Sequence, residues 1–392
     1  MISLPKATFY EFFAGGGMVR AGLGEDWNCL FANDFDATKA RIYKYNWGEE
    51  NFIFGDVTDV GLTSLPGIAD LCWASFPCQD LSLAGDYRGL GRADSEVATR
   101  SGAFWPFWSI MRGLIKESRG PRTIVLENVC GILTSHKGTD FAAICSAIVD
   151  VGYRFGAIVI DAKNFVPQSR PRLFIVAVHP DSSIPANLTL AGPDSLWQPA
   201  NVVKAASILP DKVRSRWIWW SAAHPQKRKT IFADLLEIKE HGSQWHSPMQ
   251  TNRLLAMMSV VNQRKIIVAR ALGRQTVGCI YKRTRLDANG LRQQRAEVRF
   301  DDIAGCLRTP GGGSSRQTLI FIDGENTRSR LLSPREAARL MGLSDEYKLP
   351  QNQNEAYHLT GDGVCVPAVR HLADQILKPL LEFNVNIMMA AE

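Results

Sequence analysis

Cys78, Glu127 and the pair Arg170 and Arg172 are the side chains whose types and settings allow covalent chemistry on a heteroaromatic ring. Cys78 lies in Ser75-Phe76-Pro77-Cys78-Gln79, just after the apolar run Leu71-Cys72-Trp73-Ala74. Pro77 offers no N–H to a sheet ladder, so the strand should stop there and leave Cys78 on a stiffened loop. A cysteine on a polar loop is a candidate nucleophile, whereas Cys72 inside the apolar run reads as filler. Glu127 ends the apolar run Thr123–Leu126, where a carboxylate is costly unless paired or protonated. Taken alone it would read as a cap or a salt bridge. Arg170 and Arg172, spaced i and i+2 at a strand's start, are expected to share one face. Taken alone they would read as a solvated edge. Together the groups describe one reaction. A thiolate adds to an electron-poor ring carbon, the acid protonates the ring nitrogen, and an arginine holds the ring carbonyl. The neighbouring carbon then becomes nucleophilic and can accept a methyl group from a sulfonium donor. Cytosine fits, with attack at C6, protonation at N3 and methylation at C5.

A second group of residues suits a nucleoside-containing cofactor. The strand Thr8–Phe13 runs into Ala14-Gly15-Gly16-Gly17, and a helix follows at Met18. Glycines at a strand-to-helix turn let the backbone approach a ligand closely. The spacing is not G-x-G-x-x-G, so the dinucleotide fingerprint is absent. Asp34 ends the next strand, where an acidic side chain can grip ribose hydroxyls, and Asp56 follows the third strand on the same rim. No basic residue lies in the turn to meet a pyrophosphate. That favours an adenosine cofactor without one, S-adenosylmethionine, over NAD.

The elements that must position these groups are read from periodicity. Up to Val178 short apolar runs alternate with amphipathic stretches. Strands are expected at Thr8–Phe13, Cys29–Asn33, Asn51–Phe54, Asp70–Ala74, Thr123–Glu127, Ala157–Asp161 and Leu173–Val178. Helices are expected at Met18–Leu23, Ala37–Asn46, Phe104–Ser118 and Asp140–Val151. The alternation predicts an α/β fold, a Rossmann-like mostly parallel sheet with helices on both faces, with a smaller, irregular domain beside it. After His179 prolines punctuate a segment without strand–helix rhythm, which marks a domain boundary. Thr309–Arg316 reads as a flexible glycine-rich loop. Ser333-Pro334-Arg335-Glu336 opens a helix that Gly342 ends, with serine at N-cap, proline at N1 and glutamate at N3. A final amphipathic helix is expected around Pro367–Phe383.

The 392 residues, 45% apolar and 21% charged, suit a globular chain of about two domains. No run is long enough to span a bilayer, and no secretory signal is expected at MISLPKATFY. Eight cysteines without a C-x-x-C pair point to reduced thiols in a cytosol. No metal site is expected. The net charge of +6 is uneven, because residues 201–300 hold 19 Lys and Arg against 6 Asp and Glu. A basic segment in an otherwise acidic chain suggests a polyanion, and nucleic acid is the commonest. Trp217, Trp219, Trp220, Trp245 and Tyr281 are interleaved with those charges, as stacking surfaces in a groove or as core.

On these residues the chain resembles the DNA cytosine-5 methyltransferase family of bacteria and phages. In chain order the matching motifs are Phe12-Phe13-Ala14-Gly15-Gly16-Gly17, Asn33-Asp34-Phe35-Asp36, Gly55-Asp56-Val57-Thr58, Phe76-Pro77-Cys78-Gln79 and Arg100-Ser101-Gly102. Glu127-Asn128-Val129 and Gln168-Ser169-Arg170-Pro171-Arg172 follow, then Arg330–Glu336 and Gly361-Asp362-Gly363-Val364. The resemblance implies Cys78 as nucleophile, Glu127 as the N3 acid and Arg172 as a contact to the flipped cytosine, supported by Arg170 and Gln79. It implies that Phe13, Ala14, Gly15, Gly17, Asp34, Phe35, Asp56, Val57, Pro77, Asp362 and Val364 line the S-adenosylmethionine site. It also implies a catalytic domain of 1–181 with 317–392 and a target-recognition domain of 182–316.

The sequence departs from the family pattern at five places. Met18 stands for a usual glycine, Asp34 for glutamate, and Ser75 for a glycine before Phe-Pro-Cys. Ala98 and Thr99 occupy the place of an acidic residue, and Gly361-Asp362-Gly363 replaces a Gly-Asn pair. None removes the thiol, the acid or the arginines. The expected partner is double-stranded DNA, with no membrane, a monomeric enzyme, and a cognate restriction endonuclease in a bacterial cytoplasm, at the nucleoid. The same chemistry on tRNA, and a catalytically silent DNA-binding paralogue, remain alternatives.

Overall fold

A computed structural model describes residues 6–77, 100–237, 245–286, 290–309 and 316–391. Cys78, Gln79, Ala98, Thr99 and the glycines of the 309–316 loop therefore lie outside the described residues. The chain divides into two compact units. The first holds Met1–Asp161, Pro171–Pro225 and Val366–Glu392, and the second Ala162–Arg170 and Gln226–Cys365.

The first unit is built on seven strands: β1 (Ala7–Phe12), β2 (Trp27–Asp34), β3 (Phe52–Phe54), β4 (Leu71–Ala74), β5 (Thr123–Val129), β6 (Arg154–Asp161) and β7 (Pro171–Val178). Their order is β3-β2-β1-β4-β5-β7-β6. The β1–β2, β1–β4, β2–β3 and β4–β5 pairs are parallel, while β7 runs antiparallel to both β5 and β6. The central strands are apolar along most of their length because helices cover both faces of such a sheet. Tyr10, Phe12, Phe31, Cys72, Ile124 and Leu126 lie in one buried cluster with the apolar face of the helix Phe104–Lys116. The helices α1 (Met18–Leu23), α2 (Ala37–Trp47), α3 (Phe104–Lys116) and α4 (Thr139–Asp150) fall where periodicity places them, within one or two residues. The final helix extends further than expected. Val366–Leu372 continues through one π turn into Lys378–Ala391.

An exposed edge at β6 would be a template for unwanted strand pairing. Residues 182–225 cover it. The Phe155 N–H donates to the Arg216 carbonyl at 3.1 Å, and the Ile218 N–H donates back to the Phe155 carbonyl at 2.6 Å. Further along, the Val159 N–H donates to the Trp197 carbonyl at 2.7 Å. Any Cβ at position 156 would collide with the Ile218 carbonyl, so the strand needs Gly156 there. The short strands β8 (Thr189–Leu190) and β9 (Trp219–Trp220) pair within this cover. Trp220 is fully buried, and Trp217 packs edge-on against Phe155. These two tryptophans are therefore core, one of the two readings the sequence left open.

The second unit is more regular than the irregular domain expected from the sequence. β10 (Thr276–Leu286), β11 (Arg292–Arg299), β12 (Thr318–Asp323) and β13 (Asn326–Leu331) form an antiparallel sheet in the order β11-β10-β12-β13. Ile280, Val298, Ile320 and Ile322 pack with Ile266 and Ala269 of the helix Val260–Ala271. Ser333 caps the helix Pro334–Leu340 with the expected reciprocal box, its hydroxyl accepting from the Glu336 N–H while Glu336 accepts from the Ser333 N–H. Compactness thus divides the chain near 225 and 365. The reason is packing: 182–225 seals the first sheet, and 317–331 completes the second.

Candidate active site

The glycine turn after β1 is shaped by left-handed backbone. Phe13 has φ 56°, Gly15 57° and Gly17 78°. A Cβ at Gly17 would collide with the Trp47 indole, whereas nothing lies within 4 Å of one at Gly15. Phe13 pays for a conformation that non-glycine residues rarely hold, a form of strain that concentrates at ligand sites. Met18, in place of a glycine, starts α1 with a buried side chain. The turn is fastened from β2: the Ala14 N–H donates to the Asn33 carbonyl at 2.9 Å, and the Gly15 N–H donates to Asp34 Oδ2 at 2.7 Å. Asp34 Oδ1 accepts from the Asp36 N–H at 2.9 Å. Asp34 is buried, and that burial raises its carboxyl above the usual range. Phe35, the next residue, is 62% exposed on the rim. Asp56, also exposed, caps the turn Val57–Asp59 by accepting from the Thr58 N–H at 2.9 Å, and Val57 is buried beneath it.

One residue of this region was not singled out in the sequence. Glu11, within β1, is fully buried, and neither carboxylate oxygen has a hydrogen-bond partner among the described residues. Burial pushes its carboxyl up to about 8, against the opposing pull of the Arg20 guanidinium. The signal was a single charge inside the run Thr8-Phe-Tyr-Glu11-Phe-Phe13. The native state therefore keeps a proton that the unfolded chain releases near pH 4.5, so this group's contribution to stability falls as pH rises from about 4.5 to 8 and is level above that. Glu11→Gln removes the dependence. Its stability relative to the parent should improve between pH 5 and 8.5, by a few kcal/mol at most in order of magnitude. Urea denaturation of both proteins across that range checks this, and parallel pH profiles would refute it.

The second part of the site sits at the ends of β4 and β5. The chain leaving β4 is held there: the Trp73 indole N–H donates to Ser75 Oγ at 3.0 Å, and Asn128 Nδ2 donates to the Phe76 carbonyl at 3.1 Å. Ser75 thus gives a buried indole its acceptor where the family pattern has glycine. Pro77, half-buried, is the last described residue before Cys78. Glu127 is buried at the end of β5, and Arg172 Nε lies 3.3 Å from its Oε1. The β5–β7 register, Val129 opposite Arg172 and Glu127 opposite Phe174, brings the two together.

Arg170 and Arg172 do not share a face. The alternation rule holds only inside a strand, and β7 begins at Pro171. Arg170 belongs to the second unit and is fully buried there. Its Nη1 donates to the Leu307 carbonyl at 2.8 Å, and its Nη2 donates to the Gly361 and Gly363 carbonyls, both at 2.7 Å. Gln168 works beside it, accepting from the Leu307 N–H at 3.0 Å and donating to the Leu340 carbonyl at 2.8 Å. Arg170 thus organises backbone. Asp362 is exposed between the two glycines that Arg170 grips, and Val364 is buried in the same unit.

The chain is similar to known proteins along nearly its whole length. The chain is 26% identical over 385 residues to the type II methyltransferase M.BsuFI of Bacillus subtilis, covering 98% of this chain and 75% of that one. It is likewise 26% identical to M.HpaII of Haemophilus parainfluenzae over 393 residues, covering 96% and 90%. Among solved structures, S. pombe Dnmt2 methyltransferase matches with a TM-score of 0.62 at 17% identity, covering 95% of this chain and 99% of that one, a likeness of fold. The family model for C-5 cytosine-specific DNA methylase matches residues 7–378, and to that family the chain belongs.

Proposed function

We propose that this protein methylates C5 of cytosine within a particular sequence of duplex DNA, with S-adenosylmethionine as donor. The observation that carries this reading is the Glu127–Arg172 pair. It sets a carboxyl and a guanidinium side by side, at 3.3 Å, next to the pinned start of the Cys78 loop. Those are the groups needed to grip N3 and the carbonyl of a cytosine. A base inside the stack is out of reach, so the target must be flipped, at a cost of a few kcal/mol.

The residues around the glycine turn fit the cofactor. The space at Gly15 is open, Phe35 offers an exposed ring for a nucleobase, Asp56 an exposed carboxylate for ribose, and Glu11 two buried oxygens for N–H or O–H donors. Phe13, Ala14, Gly17, Asp34 and Val57 shape that wall, and Pro77, Asp362 and Val364 are assigned to the same site by resemblance. Bound there, the cofactor supplies an electrophilic methyl group on a sulfonium. Cys78 forms a bond from Sγ to C6, while Glu127 shares its proton with N3 and Arg172 holds the ring carbonyl. The C6 addition makes C5 nucleophilic. After alkylation C5 loses its proton to a base, the Sγ–C6 bond breaks, and Cys78 is released. Gln79 supports this pocket, and Arg170 positions the backbone of the second unit. Residues 182–316 hold most of the excess positive charge and supply target recognition. The type II relatives support a cognate restriction endonuclease as companion, and a monomer acting in a bacterial cytoplasm fits the same setting.

The test is transfer of labelled methyl to plasmid DNA and, separately, to tRNA. Label at C5 of DNA cytosine is expected. Label in tRNA alone would replace DNA as substrate, and label in neither would leave a silent DNA-binding paralogue. Glu127→Gln should slow transfer about a hundredfold or more, because an amide has no acidic proton to share. Unchanged turnover would remove Glu127 from the mechanism.

A further inference from the structure

The helix Val260–Ala271 carries apolar side chains on both of its sides. Ile266 and Ala269 pack it onto the second sheet. At 3.6 residues per turn, Val260, Val261, Ile267, Val268 and the C-cap Leu272 fall on the opposite side. They are 50% exposed at Leu272 and 62–64% exposed at the other four. Single exposed apolar residues are ordinary, but a contiguous stripe of them marks an interaction surface. Helix stability does not call for the stripe. Four of its five members are β-branched, and that branching lowers helix propensity. A helix that is apolar all round belongs in a buried setting, and this one has its outer side in water.

Charge narrows the choice of occupant. Residues 241–286 hold eight Lys and Arg and no Asp or Glu. Arg264 stands inside the stripe, four residues after Val260 and four before Val268, and it is exposed with no side-chain partner among the described residues. Its neighbours are engaged: Lys265 Nζ donates to the Val298 carbonyl at 2.9 Å, and Arg270 lies 3.7 Å from Glu325. A second copy of the same face would bring cations against cations. Duplex DNA would meet Arg264 with a phosphate but leave the aliphatic stripe against a charged backbone. A lipid surface would cover the stripe but draw the arginine at its centre toward hydrocarbon. A protein helix with its own apolar stripe and a carboxylate opposite Arg264 satisfies both needs. The geometry points to this outer face as the docking site for an acidic amphipathic helix of a partner protein. The helix has 12 residues. It is therefore about 18 Å long, which sets a small contact and a micromolar affinity.

The experiment uses the full chain and a fluorescent helical peptide of about 16 residues, with leucines at i, i+3, i+4 and i+7 and glutamates beside them. Anisotropy should report a micromolar Kd. A scrambled peptide of the same composition, and an analogue with lysine in place of glutamate, should each bind at least about tenfold more weakly. Ile267→Ala with Val268→Ala should weaken the acidic peptide at least about tenfold without lowering the melting temperature, since alanine is the better helix former. Arg264→Glu should reverse the order, so that the lysine analogue binds better than the acidic peptide. Equal binding of all three peptides, or no binding of the acidic one up to about 1 mM, overturns the proposal. Displacement of the acidic peptide by duplex DNA also overturns it and makes the face part of the nucleic-acid surface. Vesicles of phosphatidylglycerol and phosphatidylcholine that bind the parent protein but not the double alanine variant overturn it in favour of a lipid contact.

Discussion

Cys78→Ser is expected to abolish methyl transfer, lowering the rate at least about 10³-fold, while melting temperature and DNA binding stay at parental values. A serine hydroxyl is not ionised at neutral pH and is a far poorer nucleophile than a thiol with a low but real thiolate fraction. The replacement swaps a single atom, so it leaves the sheet and the Glu127–Arg172 pair in place. A second readout isolates the covalent step. DNA carrying 5-fluorocytosine should trap the parent protein in a denaturant-resistant complex when the methyl donor is present, because fluorine cannot leave C5 as a proton does. The serine variant should form none. Methylation by the variant at a comparable rate, or trapping equal to the parent, would show that another group attacks C6.

Arg170→Ala should unfold the second unit more easily by about 3–5 kcal/mol. Three carbonyls, the buried ones of Leu307 and Gly361 and the part-buried one of Gly363, would lose this donor together, and a large cavity would open. Arg170→Lys should recover only part of the loss, since a point ammonium cannot span carbonyls that a planar fork reaches from two nitrogens. Urea denaturation followed through the tryptophan fluorescence of both variants measures this. A midpoint within error of the parent would show that the arginine is dispensable to the fold. A large loss in Arg170→Ala with normal stability would make it a group that meets the substrate.

The alternating first unit was legible because its order is local. Each parallel strand is a short apolar run buried on both faces, and each helix has a stripe or a cap of its own, as Asp36 shows by accepting from the Lys39 N–H at 3.0 Å. Glycines 15 and 17 were legible because only a tight turn calls for them. The second sheet was not, because β11 opens with four polar residues in a row, Arg292, Gln293, Gln294 and Arg295, and both β10 and β11 owe their burial to a helix and strands elsewhere in the chain. Trp217 and Trp220 could be read either way, because charge flanks them in sequence while the β6 edge surrounds them in space. Arg170 was read by strand alternation, but lies one residue outside the strand. Glu11 was visible as a charge in an apolar strand, yet its complete burial depends on neighbours that sequence does not place.

The chain passes between its two compact units four times, at 161/162, 170/171, 225/226 and 365/366. Exchanging residues 226–365 between relatives would leave behind the nine residues 162–170. Those nine carry Gln168 and Arg170, whose bonds end on Leu307, Leu340, Gly361 and Gly363 of the segment exchanged. A transplanted module is therefore accepted only if its backbone presents carbonyls where the resident connector expects them. Successful hybrids should carry the connector along, as a second short graft far upstream of the first.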